Sequence, residues 1–545
     1  MQQLTSTDLR IARAWLVFCA AIFLIFANWV PEEVDTEVGF QATRAIAERG
    51  ELHLEPETPS AKRILEFAST PAAKGEAYNC RPGLNGLQYP YWGIAYSVIG
   101  VPAYFLGRTL DGLCSEIAAS FASQSFTSQH LGGSDYFARA AVLALQPLFG
   151  AAALSLVFLA CRRAGASPTS ALLAAASLGF GTHFFPQARS GLSDMQAVFC
   201  VSLVLERALA FAAAPTAVRG LVVGAACGLG LLTKVHTVAA VPPLVLLCAA
   251  RAAGVRSHLR ALVLIAAGAL PFALTFFVAN ALRWGSPWIT GYEKSTAESW
   301  FYVPIHLGFT ALLFAPSKGV AWFALPTFWI GLAGLGRLLL HKKWILVLPL
   351  ALSALGAWTS VGRTIEWHGA WSFGPRYALL GYPAMAVAAA LAIDMWSPRG
   401  RLFAGAVALA GCALVAPATF TSPFAAMAAA MEASAVREPK LGDQDRFQRL
   451  CLDAGPGGFL RAQHALGRAV LLRGGELPWR ELDVDRDGAI SVAALQQIPE
   501  YHSFGSIGWV GFGARFDRSA LWAIPAILAV VAGLALLRVR QLARG

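Results

Sequence analysis

Charged residues are scarce in this 545-residue chain, and their scarcity excludes an ordinary soluble protein. Only 14% of the residues are Asp, Glu, Lys or Arg, against about 25% in soluble domains. Apolar residues make up 56% of the chain, and its mean hydropathy is +0.55. Most of the chain must therefore be solvated by lipid, and we expect an all-α, polytopic membrane protein.

Several patterns that would indicate other functions are also missing. The sequence has no CxxC or HExxH pattern, no internal repeat and no low-complexity tract, so it lacks the usual signs of a zinc site or a solenoid. Lys and Arg outnumber Asp and Glu by 43 to 32. They are scattered between apolar runs, as in the cytoplasmic loops of membrane proteins, and we expect no nucleic-acid partner.

Twelve apolar runs predict about twelve transmembrane helices. The first, residues 11–30, follows Arg10, has Arg13 near its start and precedes acidic residues, so the N-terminus is expected in the cytoplasm. It has no A-x-A cleavage site, so we expect a retained anchor. The other runs lie near 137–161, 169–186, 193–213, 218–235, 236–251, 259–281, 319–338, 343–360, 377–395, 402–421 and 519–538.

The distribution of basic residues supports this topology. Predicted inner loops contain Arg162 with Arg163 and Arg399 with Arg401, and the C-terminal tail is also basic and expected in the cytoplasm. This alternation requires that the apolar segment 91–112 does not cross the membrane. We expect it to be a juxtamembrane or re-entrant segment.

Two large pieces are then expected outside the membrane. The first is an extracytoplasmic loop, residues 31–136, with juxtamembrane helices. It belongs to a transmembrane module that covers residues 1–421. The second, residues 422–518, has about 97 residues and is long enough for a small domain. Residues 519–545 supply the last helix and the basic tail.

The predicted outer face collects ionisable residues at the membrane edge, which are costly there and are therefore functional candidates. Carboxylates and cations together suit a site that holds a phosphate and deprotonates a hydroxyl or an amine. Each could instead be a solvated loop acid, a satisfied polar residue or an interfacial anchor. The candidates are the acids Asp35 and Glu37 and the basic residues Lys234, Lys318, His368 and Arg376.

The order of these elements resembles the GT-C superfamily of glycosyltransferases, which use polyprenyl-phosphate sugars. The similar branch contains protein O-mannosyltransferases and lipid A aminoarabinose transferases. The stretch DTEVGFQATRAIAERGEL resembles the acidic motif after the first helix, with Asp35 at the acidic position and Gly50 at the glycine. Similar stretches follow in the expected order: NGLQYPYWGIAYSVIGVPAY, GTHFFPQARSGLSDMQAVF, GAACGLGLLTKVHTVAAVPPLVLL, NALRWGSPWITGY, LLFAPSKGVAWFALP and WHGAWSFGPRYALLGYPAMAV.

This resemblance implies transfer of a sugar from a polyprenyl-phosphate donor to a lipid, a glycan or a protein at the outer face of a bacterial inner membrane. Asp35 would be the general base of an inverting reaction, assisted by Glu37. The donor phosphate would be held by Lys234, Arg376, His368 and Lys318. The family branch implies no metal or other cofactor for this step. In one departure, Gln88–Gly93 stands where many relatives have a Lys-Pro-Pro-type element, so contacts to the donor phosphate are not carried over to that loop.

The outer domain contains a calcium-loop pattern in residues 483–494, DVDRDGAISVAA. Asp483, Asp485 and Asp487 match positions 1, 3 and 5 of an EF-hand loop, and Ser491 matches position 9. Position 12 is Ala494, which cannot supply the usual bidentate carboxylate. A weak calcium site and a polar turn both remain open. A calcium-binding membrane protein, or a transporter, is the alternative function.

The nine cysteines give little further information. Six lie in or at the ends of predicted helices, where cysteine acts as a small hydrophobic residue. Cys80 and Cys114 could pair in an oxidising compartment, but two residues do not establish a bridge.

Overall fold

The computed structural model describes most of the chain. It covers residues 1–27, 34–54, 80–116, 135–251, 254–294, 303–364, 366–370, 372–420, 440–452 and 523–544, with residues 426, 427, 430, 431, 434, 459, 460 and 462–464. Most of these residues are helical. The strands among them form a two-stranded antiparallel hairpin, β1 (Cys80–Pro82) and β2 (Gln88–Pro90), in which Arg81 is paired with Tyr89. The predicted all-α class is confirmed.

The helices are, in chain order, α1 (Ser6–Phe26), α2 (Val34–Arg49), α3 (Ala95–Leu113), α4 (Tyr136–Leu143), α5 (Leu145–Ala164), α6 (Pro168–Phe180), α7 (Phe184–Arg189), α8 (Asp194–Ala213), α9 (Ala217–Thr233), α10 (Thr237–Val245), α11 (Val255–Trp284), α12 (Ile305–Phe314), α13 (Val320–Phe323), α14 (Leu325–Leu340), α15 (Trp344–Gly362), α16 (Tyr382–Met395), α17 (Pro398–Phe420), α18 (Asp443–Leu452) and α19 (Ala523–Arg544). Four 3-10 segments cover Leu84–Gly86, Leu246–Arg251, Gly291–Lys294 and Arg376–Gly381.

Eight helical segments in the described part of the chain are long and apolar enough to cross a membrane. They are Ser6–Phe26, Tyr136–Ala164, Asp194–Ala213, Val255–Trp284, Trp344–Gly362, Arg376–Met395, Pro398–Thr419 and Ile524–Ala543. Each of the twelve predicted runs coincides with a helix or with two consecutive helices, several of them shorter than a full span. The polytopic character is thus supported, and the count of twelve stays a prediction.

Two regions differ in detail from the predicted helices, and a third, the segment 91–112, agrees with the prediction. Residues 236–251 form α10 followed by a 3-10 turn, and α10 contains Pro242 and Pro243, which lack the backbone donors of a regular helix. The predicted outer loop between α11 and the next span contains an additional apolar helix, α12. The segment 91–112 becomes α3, which packs against α2 and α4 and is not among the eight candidate spans.

The N-terminal end of α1 is capped by its own side chains and is bound to α5. Thr5 and Asp8 form a capping box there, and Asp8 also accepts a 2.6 Å hydrogen bond from Arg162 in α5. Along the helix, Trp15 and Phe23 are buried against neighbouring aromatic side chains. The start of α2, and with it Asp35, follows the opposite end of α1.

Glycines set the distance between α9 and α11. A Cβ atom on Gly224 would collide with the carbonyl of Ile265, and one on Gly268 would collide with that of Leu221. Backbones can approach this closely only where side chains are absent, as in other membrane helix pairs. The close packing fixes the end of α9, where Lys234 is the C-terminal capping residue.

Candidate functional site

A cavity lies where several element ends meet: the start of α2, the start of α8, the end of α9 and the 3-10 segment Arg376–Gly381. It encloses about 510 Å³ of space, including the open solvent at its mouth. Four charged residues in its wall are Asp35, Asp194, Lys234 and Arg376. The aromatic residues in its wall are Tyr91, Trp92, Tyr96, His236, Tyr292 and Tyr377.

Asp35 and Arg376 form an ion pair in this cavity. Arg376 Nη2 donates to Asp35 Oδ2 across 3.1 Å. The arginine is 4% exposed and the aspartate side chain 22% exposed. Asp35 lies in the first turn of α2, where the helix dipole favours a carboxylate. The structure therefore brings together two residues that the sequence analysis selected independently.

Lys234 forms a second ion pair, with a residue that the sequence analysis did not select. Its Nζ lies 2.5 Å from Oδ1 of Asp194, and the two side chains are 8% and 6% exposed. Asp194 is the first residue of α8. The criterion that selected Lys234, an ionisable residue at a membrane edge, applies equally to Asp194 at the start of the predicted run 193–213.

Tyr377 and Glu366 extend the Arg376 contacts. Arg376 Nη2 also donates to Tyr377 Oη across 2.9 Å, and the tyrosine hydroxyl donates to Glu366 Oε2 across 3.1 Å. Burial raises the pKa of the Glu366 carboxyl, although Arg376 acts in the opposite direction. The Tyr377 ring also lies 4.7 Å from Lys234 Nζ. Tyr377 thus contacts both cations of the cavity. Neither Glu366 nor Tyr377 was selected from the sequence.

Aromatic rings form another side of the cavity. The rings of Tyr91 and Tyr292 meet edge to face with centroids 5.0 Å apart, and His236 lies 5.8 Å from Tyr292 and 5.9 Å from Tyr377. Burial raises the pKa of the Tyr91 and Tyr292 phenols, so both remain neutral at physiological pH. The cavity therefore combines charged pairs with a broad aromatic surface.

Arg283, near the end of α11, supports the loop that carries Tyr91. Its Nη1 donates to the carbonyl of Pro90 across 3.0 Å and to that of Trp92 across 2.9 Å. Asn280 accepts a 2.9 Å bond from Nη2 and orients the guanidinium. Within the loop, a Cβ on Gly93 would collide with the carbonyl of Leu232 in α9. The segment that lacks the family lysine thus contributes aromatic side chains to the cavity and is held through its backbone.

Glu37 does not line the cavity. Its carboxylate forms hydrogen bonds on another side of α2. It accepts 2.9 Å bonds from Nε and Nη2 of Arg139 and a 2.7 Å bond from Gln41, and its side chain is 1% exposed. Two residues apart on a helix, side chains point about 200° apart, so Glu37 and Asp35 face different surroundings. In this structure Glu37 joins α2 to α4.

Lys318 and His368 hold the loop that precedes Arg376. Lys318 Nζ donates to the carbonyls of Ala370, across 3.0 Å, and Ser372. His368 Nδ1 accepts a 3.0 Å bond from the Ala370 amide, and its other ring nitrogen lies 3.0 Å from Gln448 Nε2 in α18. Burial lowers the pKa of His368 well below its usual value, so the ring is neutral. Both residues contact the loop that precedes Arg376, and neither is part of the cavity wall.

The loop needs this support because its backbone is unusual. Gly369 and Gly374 have φ of 78° and 73°, and Ala370 has φ of 52°. Glycine adopts these values freely, whereas alanine adopts them at a cost. The hydrogen bonds to the Ala370 amide and carbonyl offset that cost and set the direction in which Arg376 leaves the loop.

Several predicted features concern residues that are not part of this cavity. The calcium-loop residues Asp483, Asp485, Asp487, Ser491 and Ala494, like Glu32 and Glu33, lie outside the described residues. Within the described part of the chain, no group of three or more His, Cys, Asp or Glu side chains is arranged to hold a metal ion. Cys80 and Cys114 are free thiols.

Comparison with known proteins gives structural neighbours only. No family model matches the sequence, and no curated protein matches it. ArnT from Cupriavidus metallidurans bound to undecaprenyl phosphate is similar with a TM-score of 0.47, and the same protein in the apo state with a TM-score of 0.45. In both cases the sequences are 17% identical, and the similarity covers 93% of this chain and 78% of ArnT.

Proposed function

We propose that this chain is a membrane glycosyltransferase that moves a sugar from a polyprenyl-phosphate donor to an acceptor hydroxyl or amine at the outer face of the cytoplasmic membrane. The observation that carries this proposal is the grouping of Asp35, Lys234 and Arg376 in one cavity at helix ends of an apolar bundle. A carboxylate can accept the acceptor's proton, and the cations can stabilise a departing phosphate.

In the proposed reaction, the bond between the anomeric carbon and the phosphate oxygen breaks, and its electron pair stays on the phosphate. The acceptor oxygen or nitrogen attacks that carbon from the opposite face, so the configuration inverts. Its proton passes to the Asp35 carboxylate. The products are the glycosylated acceptor and a polyprenyl phosphate monoester, whose additional charge is balanced by Arg376 and Lys234.

The remaining cavity residues fit the same assignment. Tyr91, Trp92 and Tyr292 present aromatic surface, and the two tyrosines add neutral hydroxyls. This combination suits a sugar ring with one apolar face and several hydroxyl groups. Asp194 holds Lys234 in place through a direct ion pair. The lipid tail of the donor would remain among the apolar helices while its phosphate reaches their ends.

Lys318, His368 and Glu37 take supporting roles in this proposal. The first two hold the loop that carries Arg376, and Glu37 anchors the helix that carries Asp35. They act through other residues and touch neither the donor nor the acceptor.

A transfer assay with purified protein in vesicles tests the proposal. Radiolabelled pentosyl and hexosyl polyprenyl phosphates would be supplied with lipid, glycan and protein acceptors. Wild-type protein is expected to transfer label, and Asp35→Asn to lose at least about a hundredfold, as is usual for a general base. Asp8→Asn is the matched control, because Asp8 is also an arginine-paired aspartate but lies at the other end of α1, a helix of 21 residues and so about 30 Å long. Unchanged transfer by Asp35→Asn would refute the assigned base.

A further inference from the structure

The two cations of the cavity already have carboxylate partners. Arg376 is bound to Asp35 and Lys234 to Asp194, so the formal charges of these four residues cancel. A phosphate that enters the cavity therefore meets compensated cations, and it must share or exchange them.

The two pairs differ in how easily they can separate. Both members of the Lys234–Asp194 pair are buried, at 8% and 6% exposure, and an uncompensated buried carboxylate is costly. Asp35 is 22% exposed, so water or an incoming hydroxyl can solvate it once Arg376 is withdrawn. Asp35 is therefore the carboxylate that can leave its partner.

Arg376 stays bound to Tyr377 during this exchange. Tyr377 accepts a hydrogen bond from the same Nη2 atom and is itself bound to Glu366. The guanidinium has five N–H donors in a fixed plane, so it can turn from a carboxylate to a phosphate while Tyr377 keeps it in place.

We propose that the donor phosphate takes Arg376 from Asp35, so that Asp35 becomes available as a base only when the donor is bound. This inference rests on the proposed function. In the donor this phosphate is a diester with one negative charge, like Asp35, but its two non-bridging oxygens can form bidentate contacts with arginine, whereas Asp35 binds Arg376 through one oxygen.

The same competition provides a route for product release. After the reaction, Asp35 carries the acceptor's proton and no longer attracts Arg376. Loss of that proton to water restores the carboxylate, which again competes for Arg376 and so weakens the binding of the polyprenyl phosphate product. One ion pair thus couples the protonation cycle of the base to the binding cycle of the lipid.

Equilibrium binding of polyprenyl phosphate tests this inference. Binding would be measured in detergent or nanodiscs for wild type, Asp35→Asn, Arg376→Gln and the double variant, with polyprenol as the ligand without phosphate. We expect Asp35→Asn to bind polyprenyl phosphate about tenfold more tightly than wild type, since the competitor is removed, and Arg376→Gln to bind more weakly. In the Arg376→Gln background, Asp35→Asn should not change the affinity for polyprenyl phosphate further, because the arginine for which Asp35 and the phosphate compete is absent.

Three outcomes separate the possibilities. Unchanged or weaker binding by Asp35→Asn would overturn the exchange, as would equal tightening in both backgrounds, which indicates a general effect of charge. Wild-type protein that binds polyprenyl phosphate no better than polyprenol would instead refute the proposed function itself. Asp35→Ala provides a second variant should Asp35→Asn not fold, and unfolding temperatures establish that each protein is native.

Discussion

Arg376 Nη2 lies 3.1 Å from Asp35 Oδ2, although 341 positions separate the two residues. The pair joins the first turn of α2 to the 3-10 segment that leads into α16. Its geometry therefore depends on the whole transmembrane module between them, and the site exists only in the folded bundle.

Replacement of Glu366 by glutamine should increase stability in a pH-dependent manner. Burial raises the pKa of Glu366 above its ordinary value of 4.5, so the folded state binds this proton more tightly than the unfolded state. The contribution of Glu366 to stability is then complete below pH 4.5 and is lost as the pH rises through the raised folded pKa. We expect Glu366→Gln to unfold at a higher temperature than wild type near pH 8, with a smaller difference near pH 4. An equal difference at both pH values would contradict this explanation.

Glu37→Gln should affect folding more than chemistry. The substitution leaves Arg139 buried beside a neutral partner, and breaking a buried pair on one side costs about 3–5 kcal/mol. We expect a clear decrease in unfolding temperature. The protein that remains folded should keep most of its transfer rate. Glu37→Gln combined with Arg139→Met should recover part of the stability. A large loss of kcat without loss of stability would instead assign Glu37 to the reaction.

Lys318→Met should displace Arg376 without touching the cavity. The lost ammonium group leaves the Ala370 and Ser372 carbonyls without their donor, at about 1–3 kcal/mol for each unsatisfied group. We expect kcat/KM for sugar transfer to decrease at least about tenfold, and Lys318→Arg to recover part of it. The tightening of polyprenyl phosphate binding by Asp35→Asn should also decrease, since Arg376 is no longer held beside Asp35. Lys343→Met, an exposed lysine before α15, is the control.

Calcium titration distinguishes the two interpretations of residues 483–494. If this segment is a calcium loop, the wild-type protein should bind calcium only weakly, with Kd of about 10⁻⁴–10⁻³ M as in other extracellular modules. Ala494→Glu supplies the missing bidentate ligand and should tighten binding at least about tenfold, whereas Asp483→Ala should abolish it. Calorimetry without any response, even in Ala494→Glu, would favour the polar turn.

Apolar run length predicted the helices well because membrane insertion depends on local composition. Within the described residues, each predicted run coincides with one or two helices, and the segment 91–112 forms a helix outside the candidate spans. The additional helix α12 was not predicted, since its ten residues are too few to span a bilayer.

The site was predictable only in part. Edge position and family resemblance selected Asp35, Lys234 and Arg376, which the structure brings into one cavity. The same criteria could not separate cavity residues from supporting ones, because Lys318 and His368 are also buried near the helix ends. Glu366 and Tyr377 were not selected because their importance comes from hydrogen bonds to Arg376, which sequence spacing alone does not reveal.

The length of α11 connects this cavity to the bilayer. The apolar run of this helix, residues 259–281, is longer than the roughly 20 residues that span a hydrocarbon core of about 30 Å, and few of its residues are buried within the protein. A helix with such an excess can adapt to the thickness of the membrane by tilting. Because Arg283 at its end holds the carbonyls of Pro90 and Trp92, a change in tilt would move an aromatic wall of the cavity. Lipid chain length is thus expected to modulate the proposed sugar transfer through the shape of this cavity.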